Sequence, residues 1–274
     1  MKNIFFLSIF AAMLAVFISP ALHGQQFYIG LDGGYGMKIN SPASTWSAFN
    51  SDITETNVTH SITPYSLGQG LQAGLSFGYM FNENMGVEAG IAYQNGVPVK
   101  THFLQNDNNY THNVYYSQSA QSIRLSPALI IQLKSEAIFS PFMKMGLICS
   151  KASMEASRED ENEKITYSYS KGLNMGVTSS LGAKYNLTEK LALVAELKVQ
   201  LLNYSPNKRI LSEYTINGVD QLPGMTTSEI EVEYLNSYDI DSNNPQTSSE
   251  PVKSLKELYP LHSFGFHIGL RFNL

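Results

Sequence analysis

The sequence has a single cysteine, Cys149, so no disulfide closes within the chain and the fold must hold without a covalent staple even in an oxidising compartment. Charge is sparse: aspartate, glutamate, lysine and arginine make up 15% of the 274 residues, and the net charge is -5. Nucleic-acid binders carry a basic face, so this balance excludes nucleic acid as a partner. Long apolar runs are scarce too. One occupies residues 4–18, behind the positive Lys2 and ahead of small residues around Ser19, Ala21 and Gly24. It is shorter than the roughly 20 residues of a spanning helix, and no second run follows. Residues 1–24 are therefore expected to be an export signal peptide, leaving one unit over 25–274.

Against these absences stand 16 Tyr, 14 Phe and 20 Gly, a composition of strands and aromatic boundaries. Residues 263–274 show the pattern best. Phe264, Phe266, Ile268, Leu270, Phe272 and Leu274 are apolar, and the residues between them, Ser263 to Asn273, are small or polar. A period of two is a strand with one apolar face, which must meet a core or lipid. Seven earlier segments repeat it, at 27–37, 71–81, 85–94, 123–133, 141–150, 173–187 and 191–201. The segment at 141–150 is less regular, because Ile148 falls among the polar positions. Pro127 donates no ladder hydrogen bond, so a bulge or break is expected there.

The connections alternate. Long polar stretches cover 40–69, which holds the only tryptophan, Trp46, and then 95–117, 151–171 and 205–262; short ones cover 82–84, 134–140 and 188–190. A meander joined this way gathers long loops at one end and tight turns at the other. The pattern predicts an all-β fold, an eight-stranded antiparallel transmembrane up-and-down β-barrel with short periplasmic turns and long extracellular loops. Closure removes the sheet edges that lipid does not tolerate.

Glycine assigns the faces. The polar face is the glycine-rich one, which suits a narrow eight-stranded interior filled by interdigitating side chains. Phe27, Tyr79, Phe81, Tyr185 and Phe272 fall at the short-turn ends of the apolar faces, and Tyr35, Tyr93 and Phe264 at the long-loop ends, as two bilayer interfaces select. On these features the mature chain resembles the small outer-membrane β-barrel proteins of Gram-negative bacteria, similar to the outer-membrane protein A barrel and related porin-family barrels. The resemblance implies location in the outer membrane, contact with its lipid, and a C-terminal signal at Phe272 and Leu274 read by the barrel-assembly machinery. Many members end in an aromatic residue; this one has Leu274, with Phe272 two positions earlier on the same face.

The inward face is expected to hold Asp32, Glu88 and Glu196 against Arg124, Lys144, Lys184, Lys198 and Arg271, with His267 beside them. Charges in a tight interior need partners. Hairpin geometry suggests Lys184 with Glu196, and the closing seam suggests Asp32 with Arg271. A structural network that plugs the lumen is the first reading; a narrow passive pore favouring anions is the alternative. Catalysis is not expected. His262 and Ser263 sit near the rim, as a lipid-modifying enzyme would need, but no motif ties them to an acid. His60, His102 and His112 lack metal-ligand spacing, so neither metal nor cofactor is expected. Specific function is assigned to the segment 205–262, with nine acids against four bases and the hairpin signal Asn217-Gly218. The expectation is a non-enzymatic, monomeric barrel with a structural role or a surface-interaction role toward an extracellular ligand or host surface.

Overall fold

The computed structural model describes residues 26–40, 49–53, 58–62, 64–107, 110–133, 139–170, 172–239 and 247–274. The expected signal peptide and Trp46 lie outside the described residues. The chain begins with β1 (Gln26–Lys38), the hairpin β2 (Phe49–Ile53) and β3 (Val58–Ile62), then β4 (Gly70–Met80), β5 (Met85–Gly96) and β6 (Val99–Asp107). Next come β7 (Tyr110–Gln132), β8 (Phe139–Glu159), β9 (Glu163–Ser170), β10 (Leu173–Asn186), β11 (Leu191–Tyr204), β12 (Lys208–Ile216) and β13 (Val219–Asp220). A four-residue helix, α1 (Thr227–Ile230), precedes β14 (Glu231–Leu235), β15 (Val252–Leu255), β16 (Tyr259–Pro260) and β17 (Ser263–Asn273).

Eight strands close the barrel in the order β1, β4, β5, β7, β8, β10, β11, β17, and β17 returns to β1 antiparallel with Leu270 opposite Leu31. Alternation sets the faces. Leu71 is 65% exposed while its neighbour Gln72 is 5%, and Ile268 is 52% exposed while His267 is 3%. The apolar residues therefore form an outward belt, and the polar ones fill the lumen. The tight turns follow from local chemistry. At one, Asn82 Oδ1 accepts from the amides of Asn84 (2.9 Å) and Met85 (2.8 Å). At another, Thr188 Oγ1 accepts from Leu191 N at 3.0 Å. At Pro127 the ladder to β8 lapses between the pairs Leu125–Cys149 and Ala128–Gly146 without a change of register.

Two stretches expected as loops are strands. β7 has 23 residues and β8 has 21, so 110–117 and 151–159 carry the barrel wall well past the 9 to 11 residues, roughly, that a bilayer needs. Above the apolar belt, β6, β7, β8, β9, β12, β14 and β15 form a continuous sheet, with β14 and β15 parallel. The sequence hid this extension because neither face of it meets lipid: inward Ala120, Ala152 and Met154 are buried, and outward Ser117, Ser119 and Ser153 are polar, so the contrast that marks a membrane strand is lost. The charged run 158–164 makes the β8–β9 turn, where Asp160 Oδ1 accepts from Asn162 N (3.0 Å) and Glu163 N (2.8 Å). Asn217 and Gly218 take positive φ, 49° and 76°, in the β12–β13 turn.

Candidate functional site

The lumen is built in layers, and the residues that fill each layer come from several strands. In the middle, Lys144 on β8 reaches across the inner face of β10 to Glu196 on β11 (2.6 Å) and also bonds Glu88 on β5 (2.8 Å). On β10, Ser180 stands opposite Lys144, and Gly182 stands opposite Glu196 and opposite Phe142, whose ring lies over the glycine. The Tyr28 hydroxyl donates to Glu88 at 2.6 Å. Asp32 on β1 meets Lys198 at 3.5 Å and His267 Nδ1 at 3.0 Å.

Neither pairing suggested by sequence forms. Lys184 stands opposite Val194, two residues from Glu196, while Lys144 holds Glu196 instead. Arg271 is drawn from Asp32 onto the Tyr28 ring, 3.3 Å from its centroid. Tyr28 can lie across the lumen because a Cβ at position 78 would fall 2.0 Å from its ring, so only glycine fits there.

Arg124 is 2% exposed and bonds no carboxylate among the described residues. Its guanidinium donates to the side-chain oxygens of Gln94 and Gln200, and its Nε to Ser122 Oγ at 3.0 Å. These three polar partners were missed from sequence; their signal was amide and hydroxyl residues at inward positions level with an arginine. Gln94 also donates to the Leu67 carbonyl (3.1 Å), which ties this layer to the one above.

Both ends of the lumen are shut by apolar clusters. At the short-turn end, Tyr28, Met80, Ile130 and Phe142 are buried together, with Val194 against them. At the long-loop end, Tyr65, Leu67, Ile148, Leu202, Tyr204, Tyr259 and Leu261 belong to a larger buried cluster. The first long connection, expected to be exposed throughout, turns its last residues into this mouth: Leu67 N donates to Pro260 O at 2.9 Å and Ser66 Oγ to His262 O at 2.6 Å. A Cβ on Gly68 would sit 2.4 Å from Leu261 O and 2.5 Å from His262 O. Gly68→Ala should therefore push the turn out of the mouth and destabilise the barrel by about 1–3 kcal/mol, measured by urea unfolding in micelles. An unchanged midpoint would show that the turn does not seal the mouth. Between the two clusters lie cavities of about 50 and 30 Å³, the larger lined by Asp32, Glu88, Arg124, Lys144, Glu196 and Lys198. Each has room for a few waters at most.

Above the mouth the sheet turns an aromatic face inward. Tyr169 stacks on Tyr234 (6.4 Å) and meets Tyr259 edge-on (5.7 Å), and Arg209 covers the Tyr167 ring at 4.6 Å. Burial, then the neighbouring Tyr169, pushes the Tyr234 hydroxyl above the usual phenol range, so it stays neutral. On the outer face, Lys164 pairs with Glu213 (2.8 Å) and Lys208 with Glu231 (2.8 Å).

The remaining expected residues have structural surroundings. His262 Nδ1 accepts from Leu202 N at 3.0 Å, and Ser263 Oγ donates to Gln200 at 3.3 Å. His102 stacks on Tyr115 at 6.2 Å, while the side chains of His60 and His112 lie outside the described residues. Phe272 and Leu274 face outward at the short-turn end, and Leu274 N donates to Phe27 O at 2.9 Å.

A family model described as an outer membrane protein beta-barrel domain matches residues 8–233. Neisserial surface protein A is similar in structure, at 11% identity over 92% of this chain and 100% of that one, with a TM-score of 0.40. The outer membrane protein OprG of Pseudomonas aeruginosa is 12% identical over 92% and 96%, with a TM-score of 0.42. A major outer membrane protein of Thermus thermophilus is 10% identical over 92% and 100%, with a TM-score of 0.43. No curated protein matches.

Proposed function

Because the chain belongs to the outer-membrane β-barrel family and so lies in the outer membrane of a Gram-negative bacterium, we propose that it is a closed, non-enzymatic barrel that displays a recognition surface outside the cell. The observation that carries this reading is the seven-stranded sheet standing above the apolar belt. Strands of 23 and 21 residues are far longer than the bilayer requires, and the excess builds ordered surface. Recognition groups on a rigid scaffold need little ordering on binding. The expected partners are an extracellular ligand or host surface at that sheet, outer-membrane lipid at the belt, and the barrel-assembly machinery at Phe272 and Leu274. The barrel acts as a monomer, with its belt in lipid.

The sealed lumen supports display over transport. Ions would have to pass two buried apolar clusters and a set of paired charges. Purified barrel in a planar bilayer should show no steady conductance. A large, stable open level would make the protein a passive pore instead, and hydrolysis of outer-membrane lipid by the purified protein would make it an enzyme.

A further inference from the structure

At the short-turn end of the lumen two buried cations lack an anionic partner. Lys184 is 8% exposed and Arg271 is 6% exposed, and among the described residues neither is in an ion pair. Lys184 stands opposite Ser140 and Val194, and Arg271 opposite Ala192 on the intervening strand, so both cations lie on the inner face two strands apart, within two residues in register. The Tyr28 ring shields one face of Arg271 and leaves its Nε without an acceptor.

Arg271 lines the smaller cavity with Glu88 and Glu196, which Lys144 already holds as ion pairs. The larger cavity is lined by three carboxylates, Asp32, Glu88 and Glu196, and by three cations, Arg124, Lys144 and Lys198, so its charges cancel. The excess of two positive charges resides in Lys184 and Arg271. Like charges held out of water raise the energy of the fold unless an anion joins them. Two residues beyond Arg271 on the same face, Asn273 is 6% exposed and its Oδ1 has no donor. Its amide nitrogen donates to the Glu189 carbonyl at 3.3 Å, which leaves Oδ1 as the free acceptor of the side chain.

We propose that the short-turn mouth of the barrel binds a phosphate-type oxyanion between Lys184 and Arg271. The anion accepts from the ammonium and from Arg271 Nε; free phosphate has in addition a hydroxyl that donates to Asn273 Oδ1, whereas a phosphodiester, which has no hydroxyl on phosphorus, is held by the two cations alone. Charge-assisted bonds of this kind are short and strong, and a buried arginine favours oxyanions over chloride. The short-turn end faces the periplasm, so the source is either free phosphate or the phosphodiester of a lipid headgroup in the inner leaflet.

The test uses the folded full-length barrel in a sugar-headgroup detergent, which supplies no phosphate. Inorganic phosphate replaces chloride at constant ionic strength, and the temperature at which the compact gel band is lost is recorded. Phosphate should raise that temperature to a plateau, and Lys184→Met should weaken the apparent affinity about tenfold or more. Lys184→Arg should keep the response. Without phosphate, Lys184→Met should melt higher than the unmodified barrel, because the repulsion is gone. A response to phosphatidylglycerol alone would support the site and make the headgroup its occupant. No plateau, an unchanged apparent affinity in Lys184→Met, or a lower melting temperature for Lys184→Met without phosphate would each overturn the proposal, the last by showing that the lysine is already paired.

Discussion

Lys144→Met should lower the unfolding free energy of the barrel by about 3–5 kcal/mol, the loss expected when one member of a buried ion group is removed. Lys144 bonds two carboxylates whose side chains are only 11% and 7% exposed, Glu88 and Glu196. Methionine fills much of the lysine's volume, so the packing changes little and the loss is electrostatic. With the ammonium gone, two like charges face one cavity of about 50 Å³ that holds too little water to screen them. The Tyr28 hydroxyl still donates to Glu88, whereas Glu196 loses its hydrogen bond. Adding Glu88→Gln and Glu196→Gln to Lys144→Met should recover most of the stability, because a buried group neutralised throughout no longer needs the cation. Urea unfolding in micelles, followed by circular dichroism of the β-sheet and by loss of the compact gel band, measures both. A loss under about 1 kcal/mol for Lys144→Met would place the group in the range of solvated surface pairs and contradict a sealed lumen.

Deleting residues 209–257 and joining Lys208 to Leu258 through a short Gly/Ser linker should leave an assembled barrel that has lost all surface binding. The segment holds β12 beyond its first residue, β13, α1, β14 and β15, and its ladder contact with the rest of the sheet is the β12–β9 pairing. None of the eight closing strands loses a barrel neighbour. Shortening the connection changes closure entropy only slowly. The cap would be thinner, since Val232 and Tyr234 leave Tyr169 uncovered, so the compact band should melt earlier while the barrel still forms. Binding is read from adhesion of whole cells or capture of an extracellular ligand. Failure to form a compact band would make the segment part of the folding unit. Binding that survives the deletion would move recognition to the β6–β7 and β8–β9 hairpins.

Much of the barrel was legible because membrane strands are a local pattern. Alternation along 71–81 or 263–274 states the face of every residue, and glycine on the polar side tells that this side is the cramped one. Turn chemistry at Asn82 and Thr188 set which end is short. The inward set Asp32, Glu88, Arg124, Lys144, Lys184, Glu196, Lys198 and Arg271 could be drawn up from parity alone. Who pairs with whom could not. Lys144 reaches Glu196 across a third strand, where β10 turns the small Ser180 inward, and Glu88 comes from the far wall, a neighbour set by closure of the sheet rather than by chain spacing.

The upper sheet and the Tyr65–Gly68 turn show the same division. β7 and β8 run on above the belt with polar residues outside and small ones inside, so their periodic contrast fades where lipid ends. Leu67 lies in a polar stretch with no alternation, and nothing near it in the chain marks it for burial. Only the closed barrel supplies the mouth that it enters and the carbonyls of Pro260 and His262, nearly two hundred residues away, to which its turn is bonded. Sequence alone determined which way each strand residue faces, because that follows from the backbone's period of two; the tertiary structure decided the partners inside, because contacts across a lumen depend on how the closed sheet brings distant strands together.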